Sequence, residues 1–142
     1  MIYYLIASIL IAVTALFART KRAVLAAGIL FYAVQIAAAG LLLWGGLYDT
    51  TSAAFFTFDA LGTLFYLLLV VVSMYVFGHS EAYLQGEDLR SYRLYFALLM
   101  LLTTAIAGAY FANNLAVTWI FLEATTLCSA GIIYHRRTAQ AL

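Results

Sequence analysis

One carboxylate stands where a carboxylate is costly. Within the charge-poor stretches of this 142-residue chain, Glu123 is the single acid or base far from either end, in Leu-Ala-Val-Thr-Trp-Ile-Phe-Leu-Glu-Ala-Thr-Thr. Nine residues past Asn114, at the helical rise, it lies roughly 13 to 14 Å from that asparagine, near the midplane of a ~30 Å hydrocarbon core. Insertion scales put an acid at a helix centre about 2.5 to 3.5 kcal/mol uphill, so such a group is protonated, paired or facing water, and is a functional candidate by default. No Lys or Arg of this chain lies at its depth. Its charge would then depend on whether a cation from another segment is near, which is the behaviour a proton relay needs. Thr126, three residues on, shares its helix face and extends a polar path. The same carboxyl can instead hydrogen-bond in a helix interface and only hold helices together.

The other polar residues offer weaker chemistry. Asp59 in Phe-Thr-Phe-Asp-Ala-Leu-Gly suits a helix N-terminus at an interface, where an acid complements the macrodipole. Gln35, deep in an apolar run, suits interhelical hydrogen bonding rather than ligand binding. His79, beside Ser80 and Glu81, is a proton-entry candidate or an ordinary interfacial histidine. Ala33/Ala37 and Ala105/Ala109 are spaced for close helix packing. The one cysteine, Cys128, reads as a small apolar residue, and the chain has no His/Cys cluster with metal-site spacing. No catalytic, cofactor-binding or metal-binding residues are therefore expected in this chain, and any redox group would belong to a partner.

The elements that position these groups are membrane helices. Apolar residues make up 67% of the chain and charged residues 9%, against about a quarter charged in soluble domains. Seven Lys+Arg nearly balance six Asp+Glu, so nothing in the charge argues for nucleic acid, and the expected solvent is lipid. Roughly 20 helical residues cross a bilayer, and the charge-poor stretches divide into five spans, approximately 1–17, 23–48, 56–78, 94–111 and 115–134, in a single membrane domain over 1–142. The last two come from one stretch too long for a single helix, broken at Phe111-Ala112-Asn113-Asn114, since an amide pair is expensive at mid-bilayer. The first span resembles a secretory signal only in length: its basic cluster follows rather than precedes it, so it is read as a retained helix. With no proline anywhere, none of the spans shows a proline-marked break.

Five spans put Arg19, Lys21 and Arg22, then Arg90 and Arg93, then Arg136 and Arg137 on one side, and no Lys or Arg on the other. Basic residues stay cytoplasmic, so the expectation is an N-terminus outside and a C-terminus in the cytoplasm. Asp49, Asp59 and the Asn pair then face outside. Tyr3, Tyr4, Trp44, Tyr48, Tyr110 and Phe111 would mark the outer interface, and Tyr75, Tyr92, Tyr95 and Tyr134 the inner one.

The stretch Ala112-Asn-Asn-Leu-Ala-Val-Thr-Trp-Ile-Phe-Leu-Glu-Ala-Thr-Thr-Leu-Cys-Ser-Ala130 resembles the fifth helix of the antiporter-like, proton-conducting subunits of respiratory complex I and its relatives, most of all the hydrogenase-4 component F type. Phe58-Asp59-Ala-Leu-Gly-Thr-Leu-Phe65 similarly resembles the start of that family's third helix. The resemblance covers the layout of the whole chain but about forty residues in motif, of which Glu123-Ala-Thr-Thr-Leu is the specific part. It implies an N-terminal portion of such a subunit in the cell's inner (plasma) membrane. Glu123 matches the family's helix-five glutamate, which pairs with a lysine on a later broken helix and helps move protons coupled to redox chemistry. That lysine would come from other membrane subunits supplying the remaining helices. A soluble arm with iron–sulfur or nickel–iron subunits would carry the electrons, with no cofactor in this chain.

The function expected is thus that of a non-catalytic, proton-translocating subunit of a complex I-like or membrane-bound hydrogenase or formate hydrogenlyase-like assembly. The alternatives are a structural or assembly membrane subunit without ion transport, and a small stand-alone proton-coupled exchanger. In exchangers of that size the membrane glutamate lies in the first span, which here has no charge.

Overall fold

Apolar runs punctuated by short polar segments give five successive helices in the computed structural model, which describes residues 1–45, 55–84 and 86–134. They are α1 Ile2–Phe17, α2 Lys21–Leu43, α3 Ala60–Tyr83, α4 Leu89–Phe111 and α5 Leu115–Tyr134. Among the described residues the only β-type pairing is a single bridge between Phe56 and Ala112. Four helices, α2 to α5, are long and apolar enough to cross a membrane, while α1 is equally apolar but has 16 residues. The chain is an all-helical membrane protein by this measure.

The bounds of three helices differ from those expected. The second helix opens at Lys21 rather than 23, because the Thr20 hydroxyl accepts the Ala23 N–H at 3.2 Å. It stops at Leu43 rather than 48, with Gly45 at φ 75° just beyond, a left-handed conformation that terminates helices and suits glycine. Tyr48 and Asp49 lie outside the described residues, as do Arg136 and Arg137. The third helix starts at Ala60 rather than 56, since Asp59 is its N-cap and accepts the Gly62 N–H at 3.1 Å. It continues to Tyr83, so that His79, Ser80 and Glu81 are helical rather than loop residues. The fourth starts at Leu89 rather than 94, carrying Arg90 and Arg93 on its first turns. Hydropathy locates the apolar part of a helix, whereas backbone bonding extends past it into polar turns.

The central element is α4. It packs against each of α1, α2, α3 and α5, whereas α5 packs chiefly on α4. Small residues at Ala97, Ala105, Ala107 and Gly108 are buried around its circumference, which lets neighbouring helices approach on several sides. Its buried Thr103 and Thr104 hydroxyls donate to the Leu99 and Met100 carbonyls at 2.9 Å, satisfying themselves within the helix. Two glycines admit aromatic rings: a methyl on Gly28 would collide with Phe77, and one on Gly108 would collide with Phe121. Ala33 and Ala37, spaced for close packing, instead lie on an exposed face of α2.

The core-facing stripe of α3 repeats polar residues every seventh position, at Tyr66, Ser73 and Ser80, all buried. Each meets a hydroxyl or amide from another helix. The Tyr66 hydroxyl bonds Gln35, the Ser73 carbonyl accepts from Tyr32 at 2.9 Å, and Ser80 and Tyr95 share a 2.9 Å hydrogen bond. Between them Phe77 sits edge-on to Tyr32 and Phe96, with centroids at 5.2 and 4.8 Å.

The two ends of the bundle are tied differently. At one end the connections α1–α2 and α3–α4 meet: Lys21 Nζ donates to the Glu87 carbonyl at 2.6 Å and lies over the Tyr92 ring, and Arg93 donates to the Ala18 carbonyl at 3.0 Å. At the other, the segment before α3 meets the α4–α5 turn, with Thr57 N–H donating to the Phe111 carbonyl at 2.8 Å and Asn113 N–H to the Phe55 carbonyl at 2.7 Å. All the described Lys and Arg residues are therefore at the first end, and Asp59 with the Asn pair at the second.

Candidate functional site

The turn that breaks the last apolar stretch is what places Glu123. The Asn114 side chain accepts the Ala116 N–H at 2.9 Å, and its carbonyl accepts from Thr118 at both the backbone and the hydroxyl, so the amide pair starts α5 instead of interrupting it. Twenty residues follow, apolar apart from Glu123 and a few hydroxyl residues, and Glu123 lies in the middle turns.

Helical periodicity fixes which way it points. Phe121, Ala124 and Cys128 line a cleft with α4, and Gly131 packs against Leu98. Glu123 lies some 200° around the helix from Phe121 by the 100° step between residues and is exposed on the far side. No residue of α5 is buried, and Leu115, Trp119, Ile120, Leu122, Leu127 and Ile133 are all more than half exposed. Among the described residues, the side-chain partner of Glu123 is Trp119, one turn earlier, whose indole N–H donates to Oε1 at 2.8 Å. That pair uses one carboxylate lone pair and leaves the second oxygen facing outward.

Thr126 is also exposed, and its hydroxyl donates to the Glu123 carbonyl at 2.8 Å. Thr125 and Ser129 do the same to Leu122 and Thr125. The hydroxyl cluster is thus committed to its own backbone, and its oxygens retain acceptor capacity toward anything that covers this face.

Neither a family model, nor a curated protein, nor a solved structure matches this chain.

The other singled-out residues are spread over the bundle and are not gathered around Glu123. His79 is exposed near the end of α3, with Tyr75 edge-on at 6.2 Å; α3 packs chiefly on α2 and α4. Asp59 caps α3 at the opposite end. Gln35 is fully buried where α1, α2 and α3 meet: the Tyr4 and Tyr66 hydroxyls lie 2.6 and 2.8 Å from its Oε1, and Tyr66 lies 3.1 Å from its carbonyl. Its Nε2 has no partner. A half-turn of the amide would exchange the roles, with Nε2 donating to both phenol oxygens and Tyr66 donating to the carbonyl. Among the described residues no group of His, Cys, Asp and Glu has the arrangement to hold a metal.

Several aromatics counted in the interfacial belts have their side chains turned into the bundle. Tyr4, Tyr92 and Tyr95 were expected at the interfaces, but Tyr4 turns inward onto Gln35, Tyr92 is buried and Tyr95 bonds Ser80. Phe111, likewise expected at the outer belt, is buried. The signal for Tyr4 was Gln35 itself, because a buried amide needs partners. The signal for Trp119 was its spacing of four from Glu123.

Proposed function

We propose that this chain is a proton-translocating membrane subunit, or the N-terminal part of one, in a complex I-like or membrane-bound hydrogenase-like assembly. In this reading all five helices cross the inner membrane, with the N-terminus outside, the basic end of the bundle cytoplasmic and Glu123 the proton-relay carboxyl. The observation that carries it is the outward carboxylate at the middle of α5. Facing lipid, that group would cost about 2.5 to 3.5 kcal/mol, and the indole N–H of Trp119 at 2.8 Å offsets part of this. The described cations all lie at one end of the bundle. A polar or cationic helix of another polypeptide, seated against the Glu123 face, removes the penalty and gives the carboxyl a partner whose approach sets its charge. The resemblance of Glu123-Ala-Thr-Thr-Leu to the helix-five motif of antiporter-like subunits supports the same assignment. With 16 residues, α1 covers about 24 Å, a mismatch that a bilayer accommodates by local thinning.

The exposure of Glu123 also favours a second reading, in which it is an assembly contact without ion transport. Glu123→Gln separates the two, since the amide keeps a polar contact but holds no exchangeable charge. In the purified native assembly the variant is expected to retain its partner subunits and to lose proton-coupled activity at least tenfold. Unchanged proton coupling with intact assembly would leave the assembly contact as the role of this residue.

A further inference from the structure

Arginines with spare hydrogen-bonding capacity mark the basic end of the bundle. A cavity of about 230 Å³ is lined by Leu16, Arg90, Arg93 and Leu94. Arg93 is held in place by its bond to the Ala18 carbonyl, while its Nε is buried and has no partner. Arg90 is exposed one turn before it, and neither arginine forms an ion pair with a described residue. Lys21, in contrast, is engaged by the Glu87 carbonyl and the Tyr92 ring. At this end Arg19, Lys21, Arg22, Arg90 and Arg93 outnumber Glu81, Glu87 and Asp88.

Deeper along the same helices lies a second cavity of about 270 Å³, walled by Ile9 of α1 and by Phe121, Ala124 and Cys128 of α5, and floored by Leu101, Ala105 and Thr104 of α4, the last with its hydroxyl turned to the Met100 carbonyl. The bond from Arg93 to Ala18 pairs the start of α4 with the end of α1, so the two helices run antiparallel. Ile9 and Leu16 are seven residues apart on α1, as are Leu101 and Leu94 on α4. The two cavities therefore succeed one another along one groove, about 10 Å apart in depth. The upper one is cationic and the lower one apolar.

We propose that this groove binds an anionic phospholipid, its phosphate between Arg90 and Arg93 and one acyl chain in the cleft between α1 and α5. A guanidinium fork matches phosphate oxygens, and a basic pocket between helices at the cytoplasmic interface is suited to an acidic headgroup. At about 270 Å³ the apolar cleft has room for part of a flexible acyl chain and is smaller than a single turn of a helix about 10 Å across. The groove runs beside the outward face of Glu123, with Leu127, one turn after Glu123, at its edge, so the lipid and the partner invoked above occupy neighbouring surfaces. The proposal needs only that the bundle is in a membrane and does not depend on proton transport.

Native mass spectrometry of the full chain in mild detergent, titrated with phosphatidylglycerol and phosphatidylcholine of identical acyl chains, tests it. Phosphatidylglycerol is expected to be retained about tenfold more tightly. Arg90→Gln should weaken that retention roughly fivefold, and Ala124→Leu, which fills the cleft, should weaken it without loss of helicity. Arg22→Gln, away from the groove, should have no effect. Because Arg93 also ties α1, Arg90→Gln decides the outcome if Arg93 variants fail to fold. Equal retention of the two lipids, or an unaffected Arg90→Gln, overturns the proposal. Displacement by inorganic phosphate at matched concentration would make the upper cavity a free-phosphate site and overturns it too. So does loss of the bound lipid in the native assembly with a partner helix seated over the groove.

Discussion

Whether a polar side chain stabilises this bundle or marks a surface for something else depends on what it is bonded to. Gln35 and Glu123 are both polar residues deep in apolar helices, yet Gln35 is enclosed by two phenols and Glu123 has one indole N–H and an open side. Gln35→Leu would leave the buried Tyr4 and Tyr66 hydroxyls without their shared acceptor, a loss of about 1 to 3 kcal/mol. It should appear as a thermal midpoint several degrees lower in detergent. Tyr4→Phe removes one donor and leaves Tyr66 to satisfy the amide, so it is expected to cost less, about 0.5 to 1.5 kcal/mol. Equal losses for the two variants would mean that the node is not shared as described. Glu123 and Gln35 were legible in the sequence because polar groups stand out in apolar runs. Their partners were not. Tyr4 near a helix end reads as an interfacial aromatic, and only the rotation of α1 about its axis turns it inward.

Helix contacts here are set at glycines, and the room behind the neighbouring ring decides what each tolerates. Phe77, which occupies the notch at Gly28, is itself buried and wedged between Tyr32 and Phe96, so it cannot retreat. Gly28→Ala is expected to cost about 1 to 3 kcal/mol by overpacking. Phe121, in the notch at Gly108, also borders the apolar cleft between α1, α4 and α5 and can swing into it. Gly108→Ala should therefore be nearly neutral, its contact loss offset by about 0.5 to 1 kcal/mol of helix propensity. Thermal melts of the two variants side by side would check the order. The five elements themselves were readable from hydropathy. Their ends were not, since Thr20, Asp59 and the polar turns around Arg90 extend or trim helices by backbone and cap bonding that an apolar count does not see.

At the scale of the whole molecule, the alternation of connections is visible in the fold: the segments that carry all the described Lys and Arg are joined at one end, and Asp59 and the Asn pair lie at the other. Which end faces the cytoplasm follows from the positive-inside rule as part of the proposed function. In a Cys128→Ala background, a membrane-impermeant maleimide added to intact cells should label Asn113→Cys and leave Gly86→Cys unlabelled until the cells are opened. Both positions are exposed, so the reverse pattern would invert the bundle. Charge placement made this alternation legible in the sequence. The central role of α4 was not legible, because its apolar and small residues look no different from those of its neighbours until packing shows four helices around it.

That arrangement has a consequence for biogenesis. Since α1, α2 and α3 all pack on α4, a nascent chain that has released only its first three helices into the bilayer can close at the Gln35 node, where those three meet, but lacks the rest of its core. Tyr66 and Ser73 already have their partners on α2, but Ser80 must wait for Tyr95 of the next hairpin. Emergence of α4 from the ribosome is then the moment at which the earlier helices commit to one another, and α5, added last on its outer side, joins a bundle already closed.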